Sequence, residues 1–178
     1  NINNNLTTNN LLIVLGGYDL LDTSIFLIKQ LPMKKLKKHF DEIDMVVSPH
    51  YPKNKIKNIL EKYGSFNLNV FQNVPSLTKY LENCNKVITS YGNTVFECLA
   101  SSKDVFVINW KRFMYESSKI LEYEGLVTNL GYIKNINRKK LNFLFEKKVG
   151  NNNLFNNKLT SGIEMNAKII CKIIDRLK

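Results

Sequence analysis

At 178 residues the chain suits a single domain of about 100–200 residues, with a core that needs no covalent staples. Its 44% hydrophobic and 11% aromatic content excludes wholesale disorder, and its longest apolar runs, Leu11–Leu15 and Val105–Ile108, fall far short of the roughly 20 residues of a transmembrane helix. Lys+Arg outnumber Asp+Glu by 26 to 15, a net charge of +11, which raises the prospect of a polyanionic partner.

Those cations are nearly all Lys, with Arg only at Arg112, Arg138 and Arg176. Lys, Asn and Ile rise together, the mark of an AT-rich coding bias. No module with Arg at base contacts or with interleaved aromatics is visible, so no specific nucleic acid is expected. The three cysteines, Cys84, Cys98 and Cys171, form no CxxC pair, which argues against a disulfide framework or a zinc site and suits a reducing cytoplasm. Cys98 and Cys171 lie in apolar helical stretches and read as small buried hydrophobes. His39 and His50 lack metal-ligand spacing and read as surface or turn residues. The sequence opens on Asn1 with no apolar leader, so a piece of a longer protein is expected, whose remainder carries part of the site.

In chain order, Asn1–Asn10 is polar and of low complexity and predicts a linker or tail, followed by one domain over residues 11–178. Leu11–Leu15 predicts a buried strand ended by Gly16-Gly17. Thr23–Leu31 predicts a helix stopped by Pro32. Ile43–Val47 is a second strand, and Pro52 opens a helix through Tyr63 with Ile56, Ile59 and Leu60 on its inner face. Asn67–Phe71 is a third strand, Ser76–Asn83 a short helix and Lys86–Thr89 a fourth strand. A helix at Asn93–Ala100 turns Val95, Phe96 and Leu99 inward. Val105–Ile108 is a fifth strand, then a helix around Tyr115–Tyr123 ends at Gly125, and Val127–Leu130 is a sixth strand. A polar helix near Arg138–Lys147, an Asn-rich loop over Gly150–Asn157 and a closing helix at Gly162–Leu177 complete the chain. Alternating strands and helices predict an α/β fold: a Rossmann-like parallel sheet of about six strands with helices on both faces. Ligands of such sheets sit at the carboxyl ends of the strands.

Three segments fall there. Gly16-Gly17-Tyr18-Asp19 follows the first strand; paired glycines permit close approach of a phosphate, or simply a tight turn, and no P-loop follows. Thr89–Glu97 (TSYGNTVFE) follows the fourth. There Ser90, Gly92, Asn93 and Thr94 open a helix whose amino terminus favours anions. Asn93 or a neighbour caps that helix, and Glu97, in its first turn or just beyond, either holds vicinal ribose hydroxyls or merely complements the helix dipole. Asn73–Leu77 follows the third strand, where Pro75 keeps Val74 extended, either exposing backbone to a base or serving as a plain loop.

Taken together, LLIVLGGYD, VVSPHYPKN, NLNVFQNVPSLTKYLENCNKVITSYGNTVFECLA, VFVINW and LVTNLG resemble the carboxyl-terminal domain of GT-B-fold nucleotide-sugar enzymes. The nearest likeness is to the UDP-sugar hydrolase of pseudaminic acid biosynthesis. Murein-type N-acetylglucosaminyltransferases and UDP-sugar 2-epimerases are similar at greater distance. The likeness covers Leu11 to Gly131, with Leu159–Gly162 standing where the hydrolase turns into its last helix.

The resemblance implies that the substrate is a UDP-sugar and that no separate cofactor is needed. It places Gly16 and Gly17 near the diphosphate, and Ser90, Gly92, Asn93 and Thr94 on phosphate. Glu97 falls on the ribose, the backbone near Val74 on uracil, and the turn from Asn109 to Tyr115 toward the sugar. Lys111 and Arg112 are candidate phosphate cations. Tyr91 replaces a glycine common in the family, and the family's Asn-Gln pair after the fifth strand is not evident. The hydrolase keeps its catalytic His in an amino-terminal half, so a missing half in cis, or a partner chain in trans, is expected. A non-catalytic anion- or nucleic-acid-binding module is the rival reading.

Overall fold

A computed structural model describes residues 9–16 and 22–146. The expectations for the first eight residues, for Gly17, Tyr18 and Asp19, for the Asn-rich loop, for Cys171 and for the closing helix lie outside the described residues.

The strands are β1 (Leu11–Val14), β2 (Ile43–Val47), β3 (Leu68–Gln72), β4 (Lys86–Ser90), β5 (Asp104–Asn109), β6 (Thr128–Tyr132) and β7 (Asn135–Ile136). The helices are α1 (Thr23–Gln30), α2 (Met33–His39), α3 (Lys53–Tyr63), α4 (Thr78–Glu82), α5 (Asn93–Ala100), α6 (Arg112–Tyr123) and α7 (Arg138–Leu141), with 3₁₀ turns at Gly64–Phe66 and Asn142–Phe145. The strands form one sheet in the order β3-β2-β1-β4-β5-β6-β7. All pairs are parallel except β6–β7. Among the described residues the sheet therefore has seven strands where about six were expected, the extra one being a two-residue antiparallel strand. It is too short to leave an alternation in the sequence.

Side chains alternate across the sheet as period-two geometry requires. Leu11, Ile13 and Leu15, with Ile43, Met45, Ile88, Phe106 and Ile108, face one layer built from α1, α2, α3 and α7 through Leu27, Leu36, Ile59 and Leu141. Leu12 and Val14, with Val46, Val87, Val105 and Val107, face the other, built from α4 and α5 through Leu81, Val95, Cys98 and Leu99. Burial on both faces explains why the strands read as near-continuous apolar runs.

Four expectations need correction. Pro32 ends α1 but also precedes α2, whose inward Met33 and Leu36 are hidden in sequence among four lysines. Leu60 and Phe96 are exposed, not inward. On α3 the buried position is Ile59, and on α5 the inner face is Val95, Cys98 and Leu99, one step around the helix from Phe96. The stretch from Arg138 is one helical turn followed by a 3₁₀ turn. Asn9 and Asn10 are not tail. The Asn9 N–H donates to Asp41 Oδ2 at 2.8 Å, and the buried Asn10 accepts the Glu42 N–H through Oδ1 at 3.2 Å.

Candidate functional site

The chain turns from building toward β3 to building toward β6 at the β1–β4 junction, and open α/β sheets leave a crevice at such a switch point, outside the carboxyl ends of the strands. Two of the expected segments meet there. β1 ends at Val14, and Gly16 follows with φ +97°, a conformation that a residue with a Cβ rarely adopts. β4 ends in buried Ser90, whose Oγ donates to the Leu15 carbonyl at 2.9 Å. This bond ties the two loops together across 75 residues of sequence, and a Cβ on Gly16 would lie 3.6 Å from Ser90 Oγ.

α5 starts directly after this bond. Gly92 stands at the capping position in extended conformation, Asn93 is the first helical residue, and no side chain caps the helix. The Gly92 carbonyl accepts the Val95 N–H at 3.1 Å, while the amides of Asn93 and Thr94, the first two of α5, have no intrahelical partner. A Cβ on Gly92 would meet nothing within 4 Å, so its surroundings are open. Asn93 and Glu97 are exposed and Thr94 half-buried. Glu97 lies in the second turn, and its carboxylate has no hydrogen bond or ion pair among the described residues. Tyr91 and Phe96 meet edge-to-face at 6.4 Å beside the helix start. With Phe96 39% exposed, this aromatic rim went unseen in a sequence pattern that assigned Phe96 to the core.

Val74 follows β3, three strands from β4 in the sheet, or about 14 Å by strand spacing. Asn73 before it takes φ +57°, and the side chains of Val74, Leu77 and Tyr91 pack on the same apolar cluster.

Asn109 is placed differently from expectation. It is 0% exposed, donates Nδ2 to Asn129 Oδ1 at 3.0 Å and to the Gly131 carbonyl at 3.2 Å, and accepts from Ser118 Oγ at 3.2 Å. Its side chain is consumed in fastening β5, β6 and α6 together, so it does not face a sugar. The residues after it do emerge: Lys111 and Arg112 are exposed at the start of α6 and form no ion pair among the described residues. Asp22 and Lys55 close the rim where α1 and α3 begin, with Lys55 Nζ 2.5 and 2.6 Å from the carboxylate oxygens.

Neither histidine joins this site. His39 ends α2, edge-on to Phe40 and Phe145, and burial, helped by the charges of Lys86 and Lys35, holds its pKa below the usual value. His50 lies in the turn after β2, where its N–H donates to Ser48 Oγ at 3.3 Å. Cys84 and Cys98 are buried, and burial pushes both thiols up to about 12, which makes them poor nucleophiles. Among the described residues no three His, Cys, Asp or Glu side chains come together as a metal site.

No family model matches the chain, and no curated protein matches it. Solved structures do. WaaG, a glycosyltransferase involved in lipopolysaccharide biosynthesis, aligns with a TM-score of 0.51 at 17% identity over 78% of this chain and 37% of its own. MurG of Acinetobacter baumannii aligns with a TM-score of 0.56 at 17% identity over 84% of this chain and 45% of its own. The chain thus spans less than half of either structure. These likenesses define the fold: one Rossmann-like half of the GT-B architecture, as the sequence resemblance implied. No helix among the described residues is long and apolar enough to cross a membrane.

Proposed function

We propose that the chain is the nucleotide-sugar-binding domain of a cytoplasmic enzyme of surface-glycan or nonulosonic acid biosynthesis that hydrolyses or transfers the sugar of a UDP-sugar. The observation that carries this reading is the Ser90–Leu15 bond at the switch point. It holds the Gly16 turn against the start of an uncapped helix, with an unpaired, exposed carboxylate one turn further on. In this reading the diphosphate lies over the first amides of α5, which supply N–H donors and the positive end of the helix dipole. Ser90, Gly92, Asn93 and Thr94 border it, and Gly16 with Gly17 allows its approach. Glu97 accepts both ribose hydroxyls, which fixes the nucleoside's orientation. Backbone near Val74 receives uracil.

The reaction needs charge neutralised on the departing UDP. Preorganised amides, with Lys111 and Arg112 nearby, do this without moving. The likeness of LLIVLGGYD and TSYGNTVFE to the pseudaminic acid hydrolase supports hydrolysis, and the WaaG and MurG folds support transfer. In either case the catalytic base belongs to a complementary half, in cis or from a partner chain in trans. Titration calorimetry with UDP tests the site. UDP is expected to bind, and Glu97→Ala to weaken it about tenfold, the loss of a charge-assisted hydrogen-bond pair. Affinity no better than for unrelated anions, or an unaffected variant, contradicts the assignment.

A further inference from the structure

The three most exposed large apolar side chains of the described residues stand on one helix. On α6, Phe113 is 60% exposed, Ile120 65% and Tyr123 91%, and no other large apolar side chain among the described residues exceeds 42%. Their spacing of i, i+7 and i+10 puts them on one side of the helix. Met114 and Ser118 are buried on the opposite side, with Tyr115 and Leu121 half-buried beside them. α6 therefore has two apolar faces, and the fold uses one of them. Single exposed apolar residues are ordinary, but a stripe running the length of a helix marks a contact. The polar residues along the stripe do not oppose one. Glu116 and Lys119 pair with each other at 3.9 Å within the helix, and the half-buried Ser117 is small enough to allow close approach.

The strands that α6 joins fix where the stripe runs. β5 and β6 are parallel, so α6 leaves the carboxyl-terminal end of β5 and returns to the start of β6. Phe113 stands at the crevice end, and Tyr123, about 15 Å further along the helix, stands toward the amino-terminal end of the sheet. A complementary half closing over the crevice would meet Phe113 at most and leave Ile120 and Tyr123 bare. The occupant has to lie alongside the helix.

The charges along α6 select that occupant. Lys111 and Arg112 are exposed at its amino end, and Glu124 is exposed at its carboxyl end. A second α6 laid antiparallel sets Phe113 of each copy near Tyr123 of the other. It also sets the two cations of each copy near Glu124 of the other, with the helix dipoles opposed. A parallel copy would bring like charges and like dipoles together. Because the same patch meets itself, the contact closes on a twofold axis at the level of Ser117 and Ser118. We propose that α6 is a self-association face, on which a second copy of this chain packs antiparallel. Two aromatic rings and one Ile offer on the order of 400 Å² per copy. That is about half of the ~800 Å² each partner gives to a standard interface, so the dimer is weak and forms only in concentrated solution. The two crevices then open at opposite ends of the pair, both free, and the inference is independent of the nucleotide reading.

Sedimentation velocity of the full chain tests it, over concentrations from about 10 μM to about 1 mM. The weight-average sedimentation coefficient is expected to rise with concentration toward that of a dimer. Ile120→Asp and Phe113→Ser should each weaken association about tenfold or more, and Tyr123→Ser severalfold. Lys53→Gln on α3, away from the stripe, should change nothing. The antiparallel register has its own test in a charge exchange. Arg112→Glu alone should weaken the dimer severalfold, and Arg112→Glu with Glu124→Lys in the same chain should recover most of the loss. If Ile120→Asp or Phe113→Ser fails to melt cooperatively, the charge exchange decides. A chain that stays monomeric at about 1 mM, as it would if residues 147–178 covered the stripe, overturns the inference. So does a dimer indifferent to Ile120→Asp and Phe113→Ser, or a double exchange no better than Arg112→Glu alone.

Discussion

At the amino-terminal end of the sheet, Lys86 enters β4 buried, 3.0 Å from Asp104 Oδ2, and Asn9 and Asn10 stitch the incoming chain to the residues between α2 and β2. At the carboxyl-terminal end of β1 and β4, the first amides of α5 and the Glu97 carboxylate have no partner among the described residues. The two ends belong to the same strands and share the same apolar layers, so burial does not distinguish them. The amino-terminal end is stitched shut by these bonds, whereas at the other end, beside the Ser90–Leu15 bond, the start of α5 and the Glu97 carboxylate are left open among the described residues.

The largest expected effect breaks the closed end. Asp104→Ala leaves the Lys86 ammonium buried with only the Glu146 carbonyl, and should cost about 3 kcal/mol in urea unfolding. Glu97→Ala at the open end should shift stability by less than about 0.5 kcal/mol. Next comes Asn109→Ala, which removes the bonds to Asn129, to the Gly131 carbonyl and to Ser118 from a buried network and should cost about 2 kcal/mol. Because Asn109 belongs to the fold, UDP affinity measured by calorimetry should not change. Gly16→Ala should cost about 1–2 kcal/mol from the left-handed φ alone, since a Cβ there has ordinary clearance from Ser90.

The pH effects are smallest. The thiols of Cys84 and Cys98 are raised, so their contribution is present below an ordinary cysteine pKa and is lost as pH rises toward about 12. At pH 8 both should resist iodoacetamide in the native state and react in urea, as read by peptide mass spectrometry. His39 is lowered, so its contribution is present above its ordinary value and declines as pH falls below it. His39→Phe should flatten the acid side of the urea-midpoint profile.

Much of this fold is legible in the sequence. β2 and α5 stand where the apolar run and the helical spacing put them, because a parallel strand covered on both faces is apolar nearly throughout, as β2 is at every position but Asp44. α2 is not legible, since two buried residues among four lysines give no amphipathic signal. The pairing of Gly16 with Ser90 follows from the strand order, which alternation of elements alone does not specify. Asn109 misleads for a related reason: an Asn at a strand's carboxyl end looks the same whether it faces a ligand or a neighbouring strand. Phe96 shows the limit of helical spacing, where one position of rotation separates core from rim.

The comparison of the two ends is tested most directly by amide chemical-shift mapping of the labelled chain with UDP. Perturbations are predicted at Gly16, Ser90, Gly92, Asn93, Thr94 and Glu97, with none at Asn10, His39 or Lys86. Shifts confined to the amino-terminal end, or none at saturating UDP, would contradict a nucleotide site at the open end of the sheet.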